Sequence, residues 1–275
     1  PEKMENTIFL NGKFLLAEEA KISVLAPGFL LGWGVFETMR SYKNKIIYLK
    51  EHIKRILDSC RIVDINPRYP AAKLKAVIAE AVKMSGFKDA YVRLTLAKSE
   101  KGTDTVVIIK KYNAHSQSKY REGFRASICG FRQNENSYFS KLKTTGRLLY
   151  ELEFNEAKKK GFDEGLIINN CGFIAEGTRS NIFLVKDKSL LTPRLSCGCL
   201  DGVTRGVILG LASKYKINTY KGNFTIQDIY NCDEAFLTNS LMGVMPLSGV
   251  EKEKIGKGKP GLTKFFIDKY NSMLK

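Results

Sequence analysis

Hydrophobic and polar positions follow two periods along the chain, one typical of helices and one typical of strands. Apolar residues spaced three and four apart predict helices over residues 50–63, 70–84, 149–160, 204–214 and 262–274. Alternating or short apolar runs predict strands over residues 90–96, 105–111, 124–131, 165–169 and 217–223. A chain that mixes helices and strands in this way is expected to fold as an α+β protein.

Turn signals and polar stretches predict how the chain is divided. Asn11-Gly12 between two apolar runs predicts a β-hairpin over residues 7–15. Residues 17–24 are expected to form a further short strand or an extended segment. The polar residues 113–121 predict a linker between a smaller domain, 1–112, and a larger domain, 122–275.

The formal net charge of +17 has three possible explanations. A nucleic-acid partner would need Lys and Arg for its phosphates, an anionic substrate would be attracted by the field of the protein, and a lysine-rich composition needs no ligand. The lysines are spread along the whole chain without a compact basic block interleaved with aromatic residues. A small anionic substrate therefore agrees with the charge better than nucleic acid does.

Membrane, disulfide and metal classes receive no support from the sequence. No run of about 18 apolar residues is present, and the first residues, which begin with Pro1, lack the layout of a signal peptide. Six cysteines in such a chain are expected to be reduced thiols of a cytoplasmic protein. The close pair in Cys197-Gly198-Cys199 has neither a second pair nor a histidine nearby, so we expect no zinc site.

Lys143 and Glu176 are the residues whose surroundings most favour chemistry. Each lies at the edge of a predicted regular element, beside small or hydroxylated residues. A partly desolvated lysine loses its charge easily and can form an imine with an aldehyde, and a carboxylate at the end of a strand can hold a protonated pyridine nitrogen. Taken singly, Lys143 could equally be a solvated lysine and Glu176 a capping or surface group.

The sequence around these two residues resembles a known family. The segments KTTGRL at 143–148, GFDEG at 161–165 and EGTRSNIF at 176–183 are similar to the class IV aminotransferases, which are fold type IV pyridoxal-phosphate enzymes. That family includes branched-chain aminotransferases, D-amino acid aminotransferases and 4-amino-4-deoxychorismate lyases. The resemblance covers about residues 7 to 270.

The resemblance implies both an architecture and a set of roles. It implies two α+β domains of the D-amino acid aminotransferase type, with pyridoxal 5'-phosphate in the cleft between them, and a homodimer. Lys143, in the larger domain, would hold the cofactor as an imine and later act as the general base. Glu176 would face the pyridine nitrogen of the cofactor.

The cofactor phosphate has four predicted ligands. Arg55 lies in a segment at 49–56 that is similar to the family's phosphate-binding arginine segment, although it could also be a solvated helix arginine. Gly202 precedes the helix predicted to start at Thr204, so free N–H groups and the helix dipole favour an anion at Val203 and Thr204. The family places a small hydroxyl residue on the phosphate at the position of Ser240.

The substrate side is predicted from the segment GWGVFETMR at 32–40, which matches an early family strand. It gives Phe36, Thr38 and Arg40 as candidate substrate residues, while Trp33 departs from the aspartate that several members have there. The loop expected over residues 97–104 does not match the arginine-bearing substrate loop of the family. Arg93 or Lys98 could bind the substrate carboxylate instead, and the sequence leaves that choice open.

The sequence favours a lyase reaction over transamination. Residues 237–246 are similar to aminodeoxychorismate lyases, and Leu148 stands where branched-chain enzymes carry a tyrosine. Such a lyase releases pyruvate and 4-aminobenzoate, a folate precursor. Residues 258–263 point instead to a branched-chain or D-amino acid aminotransferase. A silent anion-binding relative and a nucleic-acid-binding module are further alternatives, and the presence of both Lys143 and Glu176 argues against the silent relative.

Overall fold

The computed structural model describes residues 7–256 and 261–274. Contacts between residues divide the chain into two compact units. The first unit consists of the chain up to Asn113 together with Leu142–Gly146, and the second consists of Ala114–Lys141 and the residues from Arg147 onward. This division puts Lys143 in the first unit, whereas the sequence suggested that it belongs to the larger domain; the predicted domain limits stay a prediction.

The first unit contains an antiparallel sheet and two main helices. Its elements are β1 (Thr7–Leu10), β2 (Lys13–Leu16), α1 (Pro27–Leu30), β3 (Gly34–Tyr42), β4 (Lys45–Ile46), α2 (Leu49–Ile62), α3 (Ala71–Ser85), β5 (Ala90–Ser99) and β6 (Gly102–Lys111). The described residues form a six-stranded sheet in the order β2-β1-β6-β5-β3-β4. The predicted hairpin at Asn11-Gly12 is confirmed by the antiparallel pairing of β1 with β2, and both turn residues have the positive φ that such a turn requires, 51° and 109°.

Two of the sequence predictions for this unit differ from the structure. Residues 17–24 form turns and irregular chain, so the strand alternative is wrong; among the described residues no strand pairs with this segment. Residues 97–104 are mostly strand, because β5 and β6 pair without interruption up to Ser99 opposite Gly102. Only Glu100 and Lys101 lie between the two strands, so the expected loop is a tight turn.

The two faces of the sheet in the first unit have different surroundings. Val35 and Met39 of β3 are buried in one hydrophobic core with residues of α2 and α3. Successive side chains of a strand point to opposite faces, so Phe36 and Thr38 lie on the other face. Arg93 of β5 is paired in register with Thr38 and therefore shares that face.

The second unit contains a mixed sheet with its own helices. Its elements are α4 (Gln117–Glu122), β7 (Phe124–Gln133), α5 (Leu148–Lys159), β8 (Glu164–Asn169), β9 (Ile174–Gly177), β10 (Asn181–Lys186), β11 (Ser189–Pro193), α6 (Val203–Lys214), β12 (Thr219–Gly222), α7 (Ile226–Tyr230), β13 (Glu234–Asn239), β14 (Gly243–Val250), β15 (Glu253–Lys254) and α8 (Leu262–Ser272). In the described chain, eight strands form a continuous order β12-β11-β10-β13-β14-β7-β8-β9, and β15 pairs with β14. The polar stretch predicted as a linker overlaps α4, which starts where the Ser116 side chain accepts a hydrogen bond from Lys119 N–H.

Aromatic packing forms part of the core of the second unit. The rings of Phe183 and Phe236 stack with their centroids 5.0 Å apart. The ring centroid of Phe266, in α8, lies 5.7 Å from that of Phe236. Burying side chains of this size stabilises a fold by about 1.5–3 kcal/mol each. Phe266 and Tyr270 of α8 are buried, whereas Phe265 is half-buried against Tyr215. Within the described ranges no helix is long and apolar enough to cross a membrane.

Candidate active site

The segment that carries Lys143 is attached to the start of β3. Phe36 N–H donates a hydrogen bond to the Lys143 carbonyl at 2.9 Å, and Thr145 N–H donates to the Gly34 carbonyl at 2.9 Å. The Thr145 hydroxyl donates to the Gly32 carbonyl at 2.6 Å. A Cβ atom at Gly34 would lie 2.9 Å from the Thr145 hydroxyl oxygen, so the close approach of the two segments requires glycine there.

Phe36 brings Lys143 and Arg93 to one aromatic ring. Lys143 Nζ lies 4.8 Å from the ring centroid, and the Arg93 guanidinium carbon lies 3.7 Å from it. Arg93 donates a hydrogen bond to the Thr95 hydroxyl, and it has no carboxylate partner among the described residues. An amine and an unneutralised guanidinium at one ring suit a substrate that carries both an amino and a carboxyl group.

The other two cations considered for the substrate side have acidic partners. Lys98 Nζ lies 2.8 Å from a carboxylate oxygen of Asp64 and also packs over Trp33. Arg40 Nη2 lies 3.6 Å from Asp89 Oδ2, and the guanidinium carbon of Arg40 is 4.1 Å from the ring centroid of Tyr112. These contacts favour Arg93 over Lys98 and give no support to the substrate role predicted for Arg40.

Arg55 belongs to a charged cluster with the buried side chains of Glu37 and His52, of which the sequence indicated only Arg55 as a site residue. Its Nε and Nη2 donate to the two carboxylate oxygens of Glu37 at 2.6 and 2.7 Å, and His52 Nδ1 lies 2.6 Å from one of those oxygens. Burial alone would raise the pKa of Glu37, but the charge of Arg55 and the hydrogen bonds of His52 and Arg55 lower it to about 2. Glu37 therefore fixes the orientation of Arg55.

Glu176 lies near the end of β9 with its carboxylate held by two nitrogen donors. Its Oε2 accepts hydrogen bonds from Leu200 N–H at 3.0 Å and from Asn181 Nδ2 at 3.3 Å. The chain between Glu176 and Asn181 is a tight turn in which Gly177 N–H donates to the Ser180 carbonyl. Any Cβ atom at Gly177 would lie 2.3 Å from the Ser180 hydroxyl oxygen, so this turn also requires glycine.

Glu164 lies under the same turn and holds it from within the core. It accepts hydrogen bonds from the hydroxyls of Thr178 and Ser180 and from Gly165 N–H. Burial raises the pKa of Glu164, although these hydrogen bonds act in the opposite direction. In the sequence Glu164 belongs to the GFDEG segment, which indicates no role for it, because its partners lie fourteen and sixteen residues further along the chain.

The first turn of α6 has the properties of an anion site. Gly202 is the N-cap and provides no side-chain cap, so the first N–H groups of the helix are available to a ligand. The Thr204 hydroxyl is buried without a hydrogen-bond partner among the described residues. These features fit the phosphate group that the resemblance implies for Val203 and Thr204.

Ser240 lies in the connection between β13 and β14, and the side chain of Asn239 fixes this turn. Asn239 Oδ1 accepts hydrogen bonds from Leu241 N–H and Met242 N–H, at 3.0 and 2.9 Å, and its Nδ2 donates to the Arg179 carbonyl.

Within the part of the chain that the structure describes, no group of His, Cys, Asp and Glu is suited to a metal ion.

Comparisons with known proteins agree on one family. Residues 34–250 match the model of the family described as amino-transferase class IV. A Methanocaldococcus jannaschii protein named "Putative branched-chain-amino-acid aminotransferase" is 30% identical, with 97% of this chain and 96% of that protein covered. The chain belongs to the class IV aminotransferase family, and it is an enzyme whose cofactor is pyridoxal 5'-phosphate.

Two solved structures have the same fold. A branched-chain aminotransferase from the thermophilic archaeon Thermoproteus uzoniensis, solved with norvaline, has a TM-score of 0.89 at 28% identity, covering 98% of this chain and 94% of that one. A Legionella pneumophila protein described as "Putative 4-amino-4-deoxychorismate lyase" has a TM-score of 0.86 at 20% identity, covering 92% and 95%. The α+β fold of class IV aminotransferases predicted from the sequence is confirmed.

Replacing Gly202 by alanine is expected to weaken cofactor binding while α6 stays intact. A Cβ atom at Gly202 would lie 2.0 Å from Asn181 Oδ1, so the side chain or the loop must move. We expect an increase of about tenfold in the Kd for pyridoxal phosphate, which equals about 1.4 kcal/mol, measured by fluorescence titration of the apoprotein. Gly206→Ala in the same helix is the matched control, since a Cβ atom there meets nothing within 4 Å. Equal affinities for both variants would contradict an anion site at the start of α6.

Proposed function

We propose that the enzyme is an aminotransferase that removes the amino group from an apolar α-amino acid. The observation that carries this proposal is the contact of Lys143 Nζ and the Arg93 guanidinium with the ring of Phe36. At this ring, the Lys143 amine can be replaced on the cofactor by the amine of the substrate, and the Arg93 guanidinium can bind the substrate carboxylate. The aminotransferase names of the similar proteins support the reaction class.

Cofactor binding is proposed to use six residues. Arg55, Val203, Thr204 and Ser240 bind the phosphate, Lys143 forms the covalent attachment, and Glu176 faces the ring nitrogen. When bound, pyridoxal phosphate supplies an aldehyde for the substrate amine and an electron-withdrawing ring. The buried carboxylate of Glu176, whose Oε2 is held in place by two N–H donors, would face that nitrogen and favour its protonated form.

Lys143 is proposed to move the substrate proton. Its Nζ, as a neutral amine, takes the proton from the α-carbon of the substrate and later returns a proton. The hydrogen bonds of Thr145 to Gly32 and Gly34 hold the backbone of this segment, and the bond from Phe36 N–H holds the Lys143 carbonyl. These contacts fix the backbone from which the Lys143 side chain extends towards the Phe36 ring, so the base starts from a defined position.

Arg93→Met is expected to raise the KM for the amino acid substrate by about 10- to 100-fold, because a charge-assisted hydrogen bond contributes about 1.5–3 kcal/mol. Methionine is similar in length to the aliphatic part of the arginine side chain and removes the guanidinium that lies over the Phe36 ring. Lys98→Met is the matched control, because Lys98 is paired with Asp64, and its KM is expected to change less than threefold. Initial rates over a range of amino acid concentrations measure both. An unchanged KM in Arg93→Met would remove Arg93 from the substrate site.

A lyase is the second candidate for the reaction. The similarity of residues 237–246 to aminodeoxychorismate lyases favours it, while residues 258–260 of the segment that points to aminotransferases lie outside the described residues. Two assays on the same preparation separate the candidates. Glutamate formation from 2-oxoglutarate and an apolar amino acid, without 4-aminobenzoate formation from aminodeoxychorismate, supports transamination. The reverse pattern supports the lyase and contradicts the proposal.

Exposed apolar side chains in the first unit favour self-association. Ile22, Val24, Leu25 and Leu31 are between 51% and 73% exposed, and Phe29 and Leu30 of α1 are also exposed. A concentration of apolar side chains in so short a segment is typical of a protein interface. We therefore expect a homodimer, with a mass by light scattering of twice the chain mass of 31.0 kDa. A mass of one chain at micromolar concentration would contradict this expectation.

A further inference from the structure

We propose that Asn181 is a positioning residue that couples the carboxylate of Glu176 to the loop leading into α6. The proposal rests on the proposed function, in which Glu176 faces the cofactor ring and the start of α6 binds the cofactor phosphate. It adds a residue whose role is to fix those two groups relative to each other inside the second unit.

The side-chain amide of Asn181 touches both groups. Its Nδ2 lies 3.3 Å from Glu176 Oε2 and donates to the Leu200 carbonyl at 2.8 Å. Leu200 N–H in turn donates to the same Oε2 of Glu176 at 3.0 Å. Asn181, Leu200 and Glu176 thus form a closed set of hydrogen bonds around one carboxylate oxygen, so that neither the carboxylate nor the loop can shift alone.

The other atom of the amide faces the start of α6. Asn181 Oδ1 lies so close to the Gly202 backbone that a Cβ atom there would be 2.0 Å from it. Gly202 is the N-cap of the helix whose Thr204 hydroxyl is buried without a partner among the described residues. One planar side chain therefore has its Nδ2 at the Glu176 carboxylate and its Oδ1 against Gly202, the residue that precedes the proposed anion site.

The position of Asn181 is itself fixed by its surroundings. Asn181 begins β10 and is paired in register with Thr238 of β13. The turn that precedes it is held by Glu164 through the hydroxyls of Thr178 and Ser180. A side chain on such a rigid support can orient a neighbouring carboxylate, as outer-shell groups orient metal ligands.

The test measures the equilibrium binding of pyridoxal phosphate to the apoprotein. Asn181→Asp keeps the shape and replaces the donor by a negative oxygen beside Glu176 Oε2 and the Leu200 carbonyl. We expect its Kd to rise by about 10- to 100-fold, the range found when groups that orient a ligand are changed. Asn169→Asp is the matched control, because Asn169 is equally buried and donates to the Cys197 carbonyl; its Kd is expected to change less than threefold.

Repeating the substitution in a protein that already carries Glu176→Gln distinguishes a positioning role of Asn181 from a general loss of stability. Asn181→Asp is also made together with Glu176→Gln, where the new side-chain amide can donate to the introduced carboxylate. If Asn181 acts through Glu176, the added change in Kd is expected to be less than threefold in this background. Asn181→Ala, which adds no charge, is measured in the same way in case Asn181→Asp does not fold.

The outcomes distinguish the inference from the proposed function. Wild-type protein that fails to bind pyridoxal phosphate contradicts the proposed function itself. Tight wild-type binding with unchanged affinity in both Asn181 variants overturns the positioning role alone. An equal loss in the wild-type and Glu176→Gln backgrounds, or a loss of the same size in Asn169→Asp, also overturns it, because Asn181 would then act only through general stability.

Discussion

Lys143→Ala is expected to abolish both the covalent attachment of the cofactor and the reaction. The variant has no amine near Phe36 to form that attachment, and it has no base for the substrate proton. Removing a general acid–base group costs about 10²- to 10⁴-fold in rate, and removing a residue that also forms the covalent attachment adds to this loss. Borohydride reduction followed by peptide mass spectrometry is expected to find pyridoxal phosphate on Lys143 in the wild type and on no peptide of the variant.

Lys141→Ala is the control for this prediction. Lys141 lies two residues earlier, is exposed, and ends the short helical turn Tyr138–Lys141. Its loss is expected to leave the rate within a factor of two, because an exposed lysine of this kind contributes little. A Lys143→Ala protein that still carries the cofactor covalently after reduction would show that another lysine has the catalytic role.

Glu37→Gln is expected to lower the free energy of unfolding by about 3 kcal/mol, because removing one partner of a buried ion pair leaves the other charge uncompensated. Glu37 is 1% exposed and bonds Arg55 through both carboxylate oxygens. Urea unfolding of the apoprotein at neutral pH measures the change. Since Arg55 is also the proposed phosphate ligand, we expect the affinity for pyridoxal phosphate to fall in the same variant.

The contribution of Glu37 depends on pH in a direction that follows from its pKa. The folded protein lowers the pKa of Glu37 from the ordinary value of 4.5 to about 2. The stabilisation is therefore fully present above pH 4.5 and is lost as the pH falls from 4.5 towards 2. The difference in unfolding free energy between wild type and Glu37→Gln is expected to shrink over this range and to be constant from about pH 5 to neutrality.

Glu51→Gln provides the comparison for these measurements. Glu51 lies exposed in the first turn of α2, the helix that carries Arg55. Its replacement is expected to change the unfolding free energy by less than about 0.5 kcal/mol at any pH. Equal effects of the two substitutions would mean that the contacts of Glu37 with Arg55 and His52 contribute no net stability.

Local patterns predicted most of the regular elements, because those elements depend on neighbouring residues. The Asn11-Gly12 hairpin and the long helices α2, α3, α5, α6 and α8 were predicted within one or two residues of their ends. The prediction was wrong where pairing partners decide the outcome. Within the described ranges no strand pairs with residues 17–24, so the predicted strand does not form there. Residues 97–104 continue a hairpin, which their polar composition does not indicate.

The candidate site could be predicted only where a motif marks a residue directly. Glu37 and Asn181 lie inside the segments GWGVFETMR and EGTRSNIF, but those segments alone assign neither residue a role. Their roles come from partners that lie eighteen and nineteen residues away in sequence, Arg55 and Leu200. The spacing of His52 and Arg55 by three residues places both on one helix face, and this was the available signal for a shared partner. The preference for Arg93 over Lys98 rests on the ion pair of Lys98 with Asp64, which only the fold reveals.

The grouping of Leu142–Gly146 with the first unit affects the order in which the protein can fold during synthesis. Phe36 N–H and the Gly34 carbonyl, both on β3, find their partners at Lys143 and Thr145. A nascent chain that has emerged only as far as Asn113 therefore has the β3 edge still incomplete, with backbone groups that must remain in water. The first unit can complete its hydrogen bonds only after β7 of the second unit has been synthesised, because Leu142–Gly146 follow β7 in the chain. The two units therefore cannot fold to completion strictly one after the other during synthesis.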